Sequence, residues 1–272
     1  MTDYSTSTDH RIWYKKQGES GPRVLFVMGF AMRGHAWERQ VAGLKEDHQC
    51  VYFDHAGLGH SGPVSTRRLK MDDMASDVLG LMDTLGWDDA HLVGISMGGM
   101  IAQHVALRAQ DRLKSLTLAA TTAGGFPHVI PPIKGLKLFL AANGSKDKVD
   151  ALGRLLFSTP FLKANPELSR TLIGEDFAGG EPPKATRLAH LHAVFNHNTA
   201  NRLHELSGLP TVIIKPTHDV LVSPEQCERL GRLIPNATLH EVNAAHGLTR
   251  EIAAEFNALL RDHIQRVERA GS

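Results

Sequence analysis

The stretch His91-Leu92-Val93-Gly94-Ile95-Ser96-Met97-Gly98-Gly99-Met100-Ile101 joins a short apolar run to an amphipathic one through glycines that flank a serine. The apolar run has strand character, and Ile101, Val105 and Ala106 follow at helical spacing. A serine at a strand-to-helix turn, with glycine two residues to either side, is the arrangement of a nucleophile elbow. The spacing has a physical reason: strand and helix approach closely only where no Cβ intervenes. The turn lifts the Ser96 hydroxyl above the sheet edge, at the positive end of a helix where developing negative charge is favoured. A glycine-rich turn with an incidental serine is the plainer alternative, and the strand before and helix after argue against it.

On either side the same alternation repeats. Val24–Met28, Cys50–Phe53, Ser115–Ala119 and Thr211–Ile214 are continuous apolar runs of the kind that parallel strands make when both sheet faces are covered. Ile12–Tyr14 and Thr238–Val242 are weaker and suit sheet edges. Between them, Met71, Met74, Val78, Met82 and Leu85 follow the helical period, with Asp72, Asp73 and Asp77 in the early turns and Gly86 past the end. Ile252, Phe256, Leu259, Leu260 and Ile264 mark a C-terminal helix. Strand–helix repetition of this kind predicts an α/β, mostly parallel, doubly wound sheet.

Residues 121–207 break the rhythm. They hold seven prolines from Pro127 to Pro183 and many large apolar side chains, including Leu136, Phe139, Leu155, Leu156 and Phe195. The segment is too long for a loop and too apolar for a linker. It reads as a helical cap inserted into a core made of residues 1–120 and 208–272. Leu136, Phe139, Leu155 and Leu156 are expected to pack the interior of that cap.

A serine nucleophile needs a base, and the base needs an orienting acid. Asp219 follows the strand at Thr211–Ile214 directly, and His246 follows Thr238–Val242 just before the last helix, giving the chain order Ser, Asp, His. Sixteen histidines make residue type a weak signal, so position after the last strand selects His246. Two backbone N–H groups should face the developing oxyanion: Met97, after the nucleophile, and Phe30, in the loop Met28–Met32. Gly29 and Phe126 are expected to line the substrate pocket.

The sequence resembles the α/β-hydrolase fold family from about Ile12 to Ile264, in its serine-nucleophile branch with a helical cap. Val27-Met28-Gly29-Phe30 is similar to the family's oxyanion strand end, with Met28 where histidine is usual, as in aclacinomycin methylesterase-like subgroups. Asp54-His55-Ala56-Gly57-Leu58-Gly59-His60-Ser61 resembles the D-x-R-G-x-G-x-S turn, with His55 and Ala56 read as structural, and His91–Gly99 resembles the nucleophile strand. Pro216 stands where the acid turn usually has glycine. The resemblance implies a cofactor-free esterase. Carbon–carbon bond hydrolases, lactonases and perhydrolases share the triad, and some members of the fold bind small molecules without turnover.

Composition narrows the partners. Thirty basic and 29 acidic side chains leave a net charge of +1, which argues against nucleic acid or an anionic membrane as a partner. The N-terminus is polar with no signal-peptide core, and no apolar run approaches the roughly 20 residues of a membrane span. With only two cysteines, Cys50 and Cys227, a cytoplasmic location is expected. Monomer and homodimer both stay open. His190, His197 and His204 recur every seven residues on an expected helix, about 10 Å apart along its axis and too far apart to hold one metal. Gly57-x-Gly59 lacks the rest of a dinucleotide fingerprint. No metal or cofactor is expected. The substrate is expected to be a small to medium ester with an apolar portion.

Overall fold

A computed structural model of the chain describes residues 3–5, 10–144, 148–176 and 180–271. Its centre is an eight-stranded sheet: β1 (Asp3–Ser5), β2 (Ile12–Gln17), β3 (Arg23–Val27), β4 (Gln49–Phe53), β5 (Ala90–Ile95), β6 (Leu113–Ala119), β7 (Thr211–Pro216) and β8 (Thr238–Val242). The spatial order is β1-β2-β4-β3-β5-β6-β7-β8. The pairs β1–β2 and β2–β4 are antiparallel, and from β4 to β8 every pairing is parallel.

Strand periodicity divides the core in two. In β3, Leu25 and Val27 point to one face while Val24 and Phe26 point to the other, and in β4 Val51 and Phe53 alternate with Cys50 and Tyr52. Helices α2 (Met71–Thr84), α3 (Met97–Arg108) and α9 (Pro224–Leu233) cover the first face, with Val78, Leu81, Ile101 and Leu230 fully buried. Helices α1 (Glu38–Leu44) and α11 (Ala253–Gly271) cover the second, where Trp37 stacks obliquely on Phe26 and Phe256. Burial on both faces is why β3, β5 and β7 read as unbroken apolar runs. β8 lies at the sheet edge with Thr238, Leu239 and Glu241 exposed, His240 partly buried and Val242 buried, and its polar sequence matches that position.

Among the described residues, five α-helices lie in sequence between β6 and β7: α4 (Ile133–Gly144), α5 (Lys148–Leu156), α6 (Thr159–Ala164), α7 (Pro166–Asp176) and α8 (Lys184–Phe195). A one-turn helix, α10 (Leu248–Glu251), precedes α11. Leu156, Phe157, Leu172 and Ile173 form a small separate core among α5 and α7. Leu156 belongs to it as expected, whereas Leu136, Phe139 and Leu155 do not; Leu155 is buried but lines a cavity described below. Leu136 is 38% exposed, and the side chains of Leu136 and Phe139 also face cavities described below. No helix of the described residues is long and apolar enough to cross a membrane.

The histidine stripe is also corrected. α8 ends at Phe195, so only His190 lies on it; His197 follows the helix and His204 sits in a separate 3-10 turn. His190 and His197 are buried, whereas His204 is exposed.

Burial pushes the pKa of several histidines below the ordinary 6.5: His190 and His197 to about 3, and His91 and His263 to about 4. The unfolded chain therefore binds more protons than the folded one in mildly acid solution. Each of these histidines removes stability as pH falls from about 6.5 toward its folded value, by up to about 1.4 kcal/mol per pH unit. Urea titrations between pH 7.5 and 5 should show the unfolding midpoint falling below pH 6.5, before ordinary carboxylates titrate. A flat midpoint across that range contradicts the neutral burial of these imidazoles.

Candidate active site

Ser96 has φ 55° and ψ −124°, a conformation that side chains other than glycine rarely adopt and that costs about 1–3 kcal/mol. The surrounding contacts hold it there. Ser96 N–H donates to Ala119 O at 2.9 Å, and Ser96 O accepts from Thr121 Oγ1 at 2.7 Å and from Gly99 N–H at 2.9 Å. A Cβ on Gly98 would come 2.1 Å from Val27 O, and one on Gly94 2.5 Å from Gly98 O. The two glycines of the motif are thus fixed by backbone approaching backbone, which leaves no flexible neighbour to yield.

Asp219 lies in the turn after β7. Its Oδ1 accepts from the N–H groups of Leu221 and Val222 at 2.7 and 2.9 Å, and its Oδ2 accepts from His246 Nδ1–H at 2.7 Å. The carboxylate has no solvent-exposed surface and the imidazole is 8% exposed. Because Nδ1 carries the proton in this bond, the lone pair is on Nε2. Pro216 does not disturb the turn: Thr217 N–H and His218 N–H donate to Val242 O and Ala244 O at 3.0 and 2.9 Å, joining the acid turn to the histidine turn.

The histidine turn is tied in its other direction to the inserted helices. Gly247 N–H donates to Leu156 O at 2.6 Å. The Glu251 carboxylate accepts from Ala245 N–H at 3.0 Å, from Ser158 N–H at 3.1 Å and from the Ser158 hydroxyl. Glu251 therefore joins the residue before His246 to the residue after the α5–Phe157 segment.

The loop carrying Phe30 is held from both sides. His55 Nε2–H donates to Met28 O at 2.8 Å, and Ala31 N–H, at a residue with φ 56°, donates to His190 Nδ1 at 3.3 Å. The two imidazoles meet edge to face at 5.8 Å, and His190 also packs edge-on against Phe30 at 6.0 Å. Gly29 lies against Ser96: a Cβ added to it would come 3.2 Å from the Ser96 Cβ and 3.7 Å from its Oγ, a tight fit beside the hydroxyl. Met97 opens α3, so its N–H has no acceptor one turn earlier in that helix.

Sequence and fold together match a known family. The sequence profile of the alpha/beta hydrolase fold fits residues 22–248. The chain belongs to the α/β hydrolase fold family. A relative from Caulobacter segnis, provisionally named carbamate hydrolase RutD, is 30% identical over 86% of this chain and 88% of its own length. A relative of the same name from Azorhizobium caulinodans is 28% identical over 94% of this chain and 96% of its own. The crystal structure of an enol-lactonase from Burkholderia xenovorans LB400 superposes with a TM-score of 0.82, at 24% identity, covering 97% of this chain and all of the other.

Within this hydrolase fold, Ser96 lies on the wall between two cavities. An inner chamber of about 130 Å³ is lined by Gly29, Ser96 and His246 together with Leu152, Leu155 and Phe157. An outer groove of about 240 Å³ is lined by Ser96, Met97 and Met100 together with Val129, Leu191 and Val194. Phe30, Phe139 and Leu221 face both, and the rings of Phe30 and Phe139 pack at 5.6 Å. Phe126 lines neither; it is 84% exposed, because the chain turns outward after Gly125. Lys148, Arg187 and Arg250 also line the inner chamber, so its wall is not purely apolar. Sequence reasoning missed these cations because they come from α5, α8 and α10, and nothing in their spacing brings them together.

Replacing Glu251 with alanine leaves three N–H or O–H groups without their acceptor, so stability should fall by about 1–3 kcal/mol while glutamine recovers part of the loss. Urea unfolding of both variants measures this, and an unchanged midpoint in Glu251→Ala contradicts the tie.

Proposed function

We propose that this protein is a cofactor-free serine hydrolase that cleaves carboxylic esters through an acyl-enzyme. The observation that carries the reading is the pairing of Asp219 with His246 at 2.7 Å, with Ser96 held at its turn on the same chamber wall as that imidazole. Ser96 attacks the carbonyl carbon and gives its proton to His246 Nε2. Asp219 holds the tautomer and stabilises the imidazolium. The N–H groups of Phe30 and Met97 receive the oxyanion. The imidazolium passes the serine proton to the alkoxy oxygen as the carbon–alkoxy bond breaks. The neutral imidazole then deprotonates a water that attacks the acyl carbon, and returning this proton to Oγ frees Ser96 and the acid.

Residues 121–207 act as a cap in this reading. Side chains of α4, α5 and α8 line the two cavities beside Ser96, which supports that role. The apolar walls favour a small to medium acyl compound. A carbamate has the same carbonyl to attack, and the names of the two relatives place carbamates in the substrate panel beside esters and lactones.

The test is a panel of p-nitrophenyl acetate, butyrate, octanoate and palmitate with a phenyl carbamate, assayed on the wild type, Ser96→Ala, His246→Ala and the double variant. Each single variant should lower kcat by about three orders of magnitude or more, and the double should be little worse, because the residues act as a unit. Specificity should rise from acetate to octanoate, each buried methylene being worth about 0.8 kcal/mol, and fall at palmitate. Ester turnover that survives Ser96→Ala contradicts the assignment. Single losses that multiply in the double variant contradict the shared mechanism.

A further inference from the structure

Outside both cavities, a second serine is joined to an imidazole and a carboxylate. His10 precedes β2, Asp77 lies on α2, and Ser65 lies in the chain between β4 and α2. His10 Nδ1 is 3.1 and 3.0 Å from the two oxygens of the Asp77 carboxylate, and His10 Nε2 is 2.9 Å from Ser65 Oγ. His10 and Asp77 are buried, at 6% and 3% exposure, whereas Ser65 is exposed. Asp72 and Asp73, in the first turn of the same helix, are also exposed. Burying a carboxylate is costly unless it is paired, and His10 supplies a pairing for Asp77.

The donors place the protons. Ser65 N–H can only donate, and it points to His10 Nε2 at 3.3 Å. Nε2 therefore carries a lone pair, and the neutral ring holds its proton on Nδ1, toward the carboxylate. The Ser65 hydroxyl must then donate to Nε2. Hydroxyl to imidazole to carboxylate is the order that activates a serine. We infer that Ser65 is a second nucleophile, which takes the acyl group of activated esters and thioesters onto its hydroxyl, with His10 as the base and Asp77 as its orienting acid. Ser65 lines neither cavity, so this reaction is independent of the one assigned to Ser96.

The setting of Ser65 limits what it does. An oxyanion formed on an exposed serine is met by water and not by a pair of fixed N–H groups, and each missing donor costs about 10²–10³ in rate. Only an acyl donor with a good leaving group overcomes that loss. With a p-nitrophenyl ester, the Ser65 Oγ–carbon bond forms as the Oγ proton passes to His10 Nε2. The carbon–aryloxy bond breaks, p-nitrophenolate leaves with the electron pair, and the imidazolium gives its proton to bulk water. The product is an ordinary alkyl ester with a poor leaving group, so it persists. Ser65 is modified once and does not turn over.

The test treats Ser96→Ala protein with p-nitrophenyl butyrate and maps its peptides at timed intervals. Ser61 is the internal reference in the same stretch of chain: its hydroxyl donates to Asp54 O at 2.6 Å and accepts from Trp13 N–H at 2.8 Å, both backbone groups. One butyryl group per chain should appear on Ser65, about 100-fold faster than on Ser61, with one equivalent of p-nitrophenolate released. His10→Gln, and Asp77→Asn, which keeps the shape of the carboxylate, should each bring the rate at Ser65 down toward that at Ser61. Urea unfolding of both variants separates loss of the base from loss of the fold. Three results overturn the inference: Ser65 acylated no faster than Ser61 in the Ser96→Ala background, a rate at Ser65 unchanged in both variants, or butyryl groups confined to lysines.

Discussion

Helix α3 meets the end of the sheet at a distance that only hydrogen atoms can fill, since any side chain at Gly98 would run into Val27 O and any at Gly94 into Gly98 O. Most of the site follows from that approach. It bends the chain sharply between β5 and α3, holds Ser96 at positive φ, and leaves the Met97 N–H at the head of a helix beside the hydroxyl. It also brings β3 under the turn, so that Gly29 and Phe30 emerge next to Ser96 and not a residue's length away. The strain at Ser96 persists because four hydrogen bonds to its backbone and the fully buried strand β5 before it fix the conformation around it.

The remaining groups reach Ser96 from loops, and each loop is tied at more than one point. The acid and histidine turns share two backbone hydrogen bonds, and Glu251 and Gly247 join the histidine turn to Leu156 and Ser158. On the opposite side, His55 from the β4 turn and His190 from α8 hold the loop of Phe30. His190 must be neutral to accept from Ala31 N–H, and burial keeps it so. The inserted helices are therefore part of the framework that places these groups, and they also supply the walls of both cavities.

How much of this was legible depends on where each signal resides. The parallel strands, the Ser96 turn and the positions of Asp219 and His246 were readable because each is written locally, as a strand followed by a turn, although the strand before His246 is a polar edge strand. The edge strand β1 was not, being three residues of a polar segment paired only with β2. Leu136 and Phe139 have the helical spacing of core residues, but a helix face that lines a cavity has the same period as one that packs. His190, His197 and His204 share a seven-residue spacing, yet a helix end at Phe195 separates them. The joining of Lys148, Arg187 and Arg250 on one chamber wall is a property of the packed helices, with no trace in local sequence.

The central claim is that Ser96 carries the acyl group during turnover. Mixing the protein with excess p-nitrophenyl butyrate, quenching in acid within milliseconds and mapping the mass of its peptides tests that claim directly. The account predicts a butyryl increment on the peptide containing Ser96, appearing in the burst and disappearing as substrate is exhausted. Steady release of butyrate with the Ser96 peptide unmodified throughout, or an increment confined to another residue, would contradict it.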